Sequence, residues 1–333
     1  MEEKKRVTMP SKLKKQTQLF FILVLILGIY IPGCRQGTKD QSMESPEKLG
    51  VQANLVFLYY KDLPAAQRFY QEIIGLSLVL DYGFAKVYQI SQTSFVGLVD
   101  EAEGMHSASE PKTVTLAFVT DEIDGWYEYL KEKEVRMHRP LESGSRIPIR
   151  GFVAYDPEGY FLEFETFLAH PQNEKIINLL ERSDALYLEV NQALSRPEEL
   201  GVQANISWLY YKDLEKAQQF YEENLGLELL VDQGFAKVYF ASPTFFVGLV
   251  DEKKGMHRFS EEKAVTVSFI SEQIDDWYQW LTDKGLEMRE TLSTSERIPV
   301  RAFVTCDVGG YFLEFDRFLA DEKNDKILGL LKN

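Results

Sequence analysis

The stretch LGVQANLVFLYYKDL at residues 49–63 returns as LGVQANISWLYYKDL at residues 200–214. The same offset holds without a gap through GFAKVY (83 and 234), FVGLVDE (95 and 246), GMH (104 and 255) and GYFLEF (159 and 310). More than half of the positions in 49–168 are identical to their counterparts in 200–319. A repeat this long is domain-sized, beyond the 20–50 residues of a solenoid unit. The body therefore divides into a first unit, 49–182, a linker, 183–199, and a second unit, 200–333.

Within each unit a shorter pattern occurs twice. Asn54–Tyr60 alternates apolar, aromatic and β-branched residues and reads as a strand. Asp62 follows as a helix cap with Pro64 in the first turn, and Ala66, Phe69, Tyr70, Ile73 and Ile74 recur at helical spacing before Gly75 ends the helix. Strands are expected near Leu76–Asp81, Phe84–Ile90 and Ser94–Val99. The order returns as strand Val114–Val119, helix Ile123–Lys133 and strands near Arg136–Leu141, Arg150–Tyr155 and Tyr160–Phe164. Each unit reads as βαβββ-βαβββ, an α+β pattern, and the body as four modules.

Composition narrows the function classes. Hydrophobic residues make up 45% and charged residues 27% of 333 residues, enough apolar material for two cores. Basic residues number 37 against 52 acidic ones, a net charge of −15, which has the wrong sign for gripping a phosphate backbone. Nucleic acid is therefore not an expected partner. Two cysteines, Cys34 and Cys306, exclude a disulfide framework.

The N-terminus reads as an address. Six basic residues precede Leu19–Ile31, an apolar run of a signal peptide's length and shorter than the roughly 20 residues needed to cross a bilayer. The run ends in Ile31-Pro32-Gly33-Cys34, which resembles the lipobox of bacterial lipoproteins, although Pro32 departs from it. The resemblance implies a signal peptide 1–33, lipidation of Cys34 and a flexible tether 34–48, placing the protein in the bacterial cell envelope, facing the periplasm or exterior. Removing residues 1–33 leaves 31 basic and 50 acidic residues, a net charge of −19.

Three segments carry a family resemblance. KDLPAAQRFYQEIIGL (61–76), VTLAFVTDEIDGWYEYL (114–130) and DPEGYFLEFE (156–165) are similar to the vicinal oxygen chelate superfamily, which includes glyoxalases, extradiol dioxygenases and bleomycin-binding proteins. The resemblance implies two tandem domains, each a pair of βαβββ modules forming a cupped mixed sheet, with the two domains able to pair as a pseudo-dimer. It also implies a divalent metal in the cup, held by His or Glu. This sequence departs from that pattern in both units. Leu55 and Ile206 stand on the opening strand, and Thr115 and Thr266 stand where the second module would carry His. Only Glu163 and Glu314 of the final strand survive, and one carboxylate is too few to hold a transition metal. No cofactor is expected, and a divalent metal would have to use Glu163 or Glu314.

Strand alternation indicates what lines the cup instead. Phe57 and Tyr59 share a face with Leu55, Trp208 and Tyr210 share one with Ile206, and Glu163 faces the same side as Thr115. An aromatic cup with a carboxylate suits a cationic or aromatic organic ligand. Alternatively Glu163 and Glu314 are structural, held by Arg150 and Arg301 of RIPIRGF and RIPVRAF. His106 and His257, both in GMH, have the right chemistry for general bases but sit in a polar loop, where a surface or cup-rim place is expected. Arg146 and Arg297 could clamp an anionic group at the mouth.

The residues leave three readings. The lead is a lipid-anchored binder of a small organic ligand without the usual metal. The rivals are a glyoxalase- or dioxygenase-type lyase or oxidoreductase with an atypical Glu163/Glu314 metal site, and a structural or interaction lipoprotein.

Overall fold

The computed structural model describes residues 49–144, 147–187 and 196–332. The signal peptide, tether and Cys34 lie outside the described residues, as do Arg146 and most of the linker. Module one comprises β1 (Ala53–Tyr60), α1 (Leu63–Arg68, continued by a π-helical turn Phe69–Ile73), β2 (Ser77–Asp81), β3 (Ala85–Ser91) and β4 (Ser94–Asp100). Module two comprises β5 (Val114–Val119), α2 (Ile123–Glu132), β6 (Met137–Ser143), β7 (Ile149–Tyr155) and β8 (Phe161–Phe167), followed by the tail helix α3 (Glu174–Leu180). Module three comprises β9 (Ala204–Tyr211), α4 (Leu214–Glu223), β10 (Glu228–Asp232), β11 (Ala236–Ser242) and β12 (Phe245–Asp251). Module four comprises β13 (Val265–Ile270), α5 (Ile274–Asp283), β14 (Met288–Thr294), β15 (Val300–Cys306) and β16 (Phe312–Phe318), followed by α6 (Asp325–Leu330). The element order matches the sequence pattern. The caps do too, since the Asp62 and Asp213 carboxylates accept from the Ala65 and Lys216 N–H groups at 2.9 and 3.1 Å.

The fold is α+β with two eight-stranded mixed sheets, each made from two modules, as expected. The modules combine differently from the order of the repeats. One sheet runs β14-β15-β16-β13-β1-β4-β3-β2 and the other β10-β11-β12-β9-β5-β8-β7-β6. Module one pairs with module four along an antiparallel seam from Ala53↔Ile270 to Leu58↔Val265. Module two pairs with module three from Val114↔Leu209 to Val119↔Ala204. Each cup thus takes one module from each repeat, and Glu163 does not share a cup with Phe57 and Tyr59. The physical reason is that β1 and β9 are near-copies. Either could dock against β5 or β13, so the seam is chosen by contacts distant in sequence.

Two tyrosines fasten the seams. Tyr160, at the end of the β7–β8 turn, accepts from the Tyr59 N–H at 2.9 Å and donates to the Ala264 carbonyl at 2.6 Å, bridging both strands of the other sheet's seam. Tyr311 does the same in reverse, with the Tyr210 N–H at 2.8 Å and the Thr113 carbonyl at 2.7 Å. The adjoining Asp156 is buried, yet its oxygens accept from the hydroxyls of Tyr60 and Tyr70 at 2.7 and 3.3 Å and from the N–H groups of Glu158 and Tyr160. Burial raises its pKa to about 6, against those hydrogen bonds.

Alternation along β1 divides the core. Val56, Leu58 and Tyr60 join one continuous cluster with all four long helices, including Trp126, Phe220 and Trp277. Ala53 and Leu55 face the cup instead, where Ile327 of α6 seals one end. In the other cup Ile176 and Leu180 of α3 do the same.

Asp156→Ala is expected to lower stability in urea unfolding by about 3 kcal/mol or more, because several buried donors lose their acceptor at once. Tyr60→Phe removes one donor and should cost about 1 kcal/mol. Equal losses in the two variants would contradict this account of the seam.

Candidate functional site

The cup between modules one and four encloses about 250 Å³, and that between modules two and three about 140 Å³. In the first cup Leu55, Phe57 and Tyr59 of β1 line one wall, with Glu314 and Asp316 of β16 opposite. Phe57 lies flat because its partner across the ladder is Gly97, where a Cβ would stand 2.3 Å from the ring. In the second cup Trp208 lies in the same way over Gly248. The FVGLVD glycines therefore shape both aromatic walls. The Tyr59 hydroxyl pairs with Thr266 Oγ1 at 2.8 Å, and Tyr210 with Thr115 at the same distance.

The expected site residues thus sort into two sets: Phe57, Tyr59, Thr266 and Glu314 in one cup, and Trp208, Tyr210, Thr115 and Glu163 in the other. Arg150 and Arg301 belong to neither. Arg150 forms a bidentate pair with Asp124 at 2.5 and 2.6 Å, and Arg301 pairs with Asp275. Both carboxylates lie in the first turns of helices, which draws these arginines away from the cup face. The partner of Glu163 is Arg139, at 3.0 Å.

The histidines also depart from expectation. His106 is buried, 7% exposed, with Nδ1 2.7 Å from Glu110 and its ring packed on Tyr59 and Phe312 at 4.9 and 4.3 Å. His257 packs on Tyr210 and Phe161. Burial lowers the pKa of both, that of His257 to about 4. Neither histidine lines a cup, although Gly104 and Met105 just before His106, and Gly255 and Met256 just before His257, do. Arg297 does reach the first cup's mouth, stacking over Phe84 at 3.9 Å and ion-paired with Glu103.

Two features of the site escaped the sequence reading. Glu165 and Asp316, two residues beyond the expected carboxylates, face into the cups beside them. Period-two alternation along β8 and β16 carried that signal. Asp316 accepts from Ser268 Oγ at 2.5 Å, whereas the Glu314 carboxylate makes no hydrogen bond or ion pair among the described residues. Burial raises both, Asp316 to about 7, and Glu314 is raised further by Asp316 and Glu290. The second feature is a charge reversal. Arg139, which holds Glu163, aligns across the repeat with Glu290, so the same wall position is cationic in one cup and anionic in the other.

The donor set does not fit the metal that the resemblance implies. Each cup offers two carboxylates on one strand, faced by the apolar Leu55 or Ile206 and by a threonine already bonded to tyrosine. Among the described residues no group of three His, Cys, Asp or Glu side chains is placed to hold an ion.

Residues 52–164 match the model of the Glyoxalase/Bleomycin resistance protein/Dioxygenase superfamily. Glyoxalase I from Zea mays superposes with a TM-score of 0.56 at 16% identity, covering 83% of this chain and 94% of its own. A Bacillus subtilis protein described as a candidate dioxygenase gives a TM-score of 0.57 at 13% identity, covering 81% and 85%. These likenesses establish the fold. No curated protein matches the chain.

Gly97→Ala is expected to push Phe57 off its strand at a cost of about 1–3 kcal/mol. Combined with Phe57→Ala it should cost less than the sum of the single changes. Additive losses would show that the ring does not depend on the glycine.

Proposed function

We propose that the first cup of this chain, whose residues 52–164 match the model of the Glyoxalase/Bleomycin resistance protein/Dioxygenase superfamily, binds a small organic cation without a metal. One observation carries the reading: Glu314 stands in an aromatic cavity with no cation of its own, and Glu290 occupies the wall position that supplies Arg139 to its counterpart. Bringing carboxylates together out of water costs free energy unless a positive charge joins them. A ligand ammonium or amidinium would supply it, with Phe57 and Tyr59 offering ring surface. Charge balance favours a cation over a neutral ligand. Arg297 neutralises Glu103 at the mouth, leaving Glu290 and the Glu314/Asp316 pair uncompensated.

Protonation gives the test its sign. The pair's pKa is raised in the free cup, so below neutral pH it carries a proton that a bound cation must displace. Benzamidine affinity, measured calorimetrically, is expected to rise with pH across the range in which the pair titrates, by up to about tenfold per unit. Glu314→Gln should weaken it about tenfold or more at pH 8. Affinity independent of both pH and Glu314 would refute the reading. So would a stoichiometric transition metal in the purified protein that disappears with Glu314→Gln and Glu163→Gln, which would favour a metal-dependent enzyme.

The same reading places the binder on the outer side of a bacterial membrane through a lipid on Cys34. Cys34→Ser is expected to abolish lipid labelling and release the chain from the membrane fraction. Retention of the variant in membranes would point to the apolar run itself as the anchor.

A further inference from the structure

We infer that the second cup is a separate site for a small organic anion, a compact carboxylate, so that one chain carries two cups of opposite sign. The inference begins from two coordinated reversals. At equivalent positions Glu290 becomes Arg139 and Glu103 becomes Lys254, and all four side chains line a cup. They come from four different modules. Within a single repeat Glu103 sits with Arg139, and Lys254 sits with Glu290, so the signs are mixed. Only the crosswise seam sorts them, placing both acidic residues in the first cup and both basic ones in the second.

Folding does not account for that sorting. Arg139 is matched in part by Glu163, but Lys254 adds a second positive charge there, while Glu290 joins Glu314 and Asp316 where a basic residue would have stabilised them. A ligand of defined charge in each cup does account for it. In the second cup the Lys254 ammonium makes no hydrogen bond or ion pair among the described residues. Arg139 spends one N–H on Glu163 and keeps its other donors, with its side chain 43% exposed.

The floor supplies an independent observation. Glu165 is only 1% exposed, both of its oxygens lack a hydrogen-bond partner, and the adjoining Trp208 Nε1 is enclosed without one. The indole lies close enough to favour the carboxylate without reaching hydrogen-bond geometry. Burial and the neighbouring Glu163 still push the Glu165 pKa well up and favour its neutral acid. An acid O–H and an indole N–H are two donors. Even if the indole used the acid's carbonyl oxygen, one donor would find no acceptor in the chain. A ligand carboxylate provides acceptors for that donor and for the Arg139 fork, and Phe235, Met256 and the Trp208 ring provide apolar walls for its body.

Benzoate and benzamidine share a ring and differ in charge, so together they test the assignment on the full chain in neutral detergent at pH 8. Both are expected to bind without displacing one another. Lys254→Glu, on the exposed rim, should weaken benzoate roughly tenfold and leave benzamidine unchanged, and Glu290→Arg should do the converse. Trp208→Phe, which copies the first cup's residue, should also weaken benzoate. Arg139→Glu risks misfolding because it strips Glu163 of its partner, and Lys254→Glu keeps the test intact in that case. Three results would each overturn the inference: no benzoate binding, displacement of benzoate by benzamidine, or benzoate affinity that follows Glu290 instead of Lys254. Failure of benzamidine alone would remove the first-cup reading and leave this one standing.

Discussion

The antiparallel seam between β1 and β13, mirrored between β5 and β9, is the constraint on which both cups depend. Each seam joins the opening strands of two modules and so decides which side chains share a cavity. It is stitched from outside its own sheet, by a tyrosine hydroxyl that accepts an N–H from one strand and donates to the carbonyl just before the other. Because Tyr160 serves one sheet's seam and Tyr311 the other's, neither sheet is assembled independently. The buried Asp156 and Asp307 tie the same turns to Tyr60 and Tyr211 on the opposite sheet. The tyrosine of GYFLEF is therefore a fastening residue, while the glutamate three positions later looks into a cup.

Buried carboxylates show three solutions to one problem. Asp156 is surrounded by hydrogen-bond donors, and its pKa rises only to about 6 despite complete burial. Glu163 has a single arginine and rises to about 7, so one charge at 3.0 Å offsets only part of the desolvation. Glu314 has neither, and two more carboxylates press on it. The first arrangement is what stability alone would build. The last makes sense where a partner arrives from solution, since a buried acid without compensation is costly in the empty protein and favourable once a cation neutralises it.

Much of the fold was legible in one chain. Periodicity placed every strand and helix of the repeats near its observed position, because hydrophobic spacing along a segment reports directly on its own geometry. The aromatic lining of Phe57, Tyr59, Trp208 and Tyr210 followed from alternation, for the same reason. Arg150 and Arg301 were misleading, since their pull toward Asp124 and Asp275 depends on where helices α2 and α5 come to rest over β7 and β15. His106 and His257 misled similarly: a loop's polarity says nothing of the ring it tucks beneath.

The sequence by itself determined the repeat, the four modules, the face of each strand and the loss of the histidines expected of a metal site, all properties of segments read locally. Only the tertiary structure decided which modules meet. Near-identical strand edges make every pairing of opening strands locally equivalent, so the pairing appears only in the assembled fold, where contacts such as Tyr160 with Ala264 join residues about a hundred apart. With that choice came the composition of each cup: Glu290 rather than Arg139 beside the unpaired Glu314, and Lys254 with Arg139 around the other. Charge along the chain is a sum, and only the fold distributes it between two cavities.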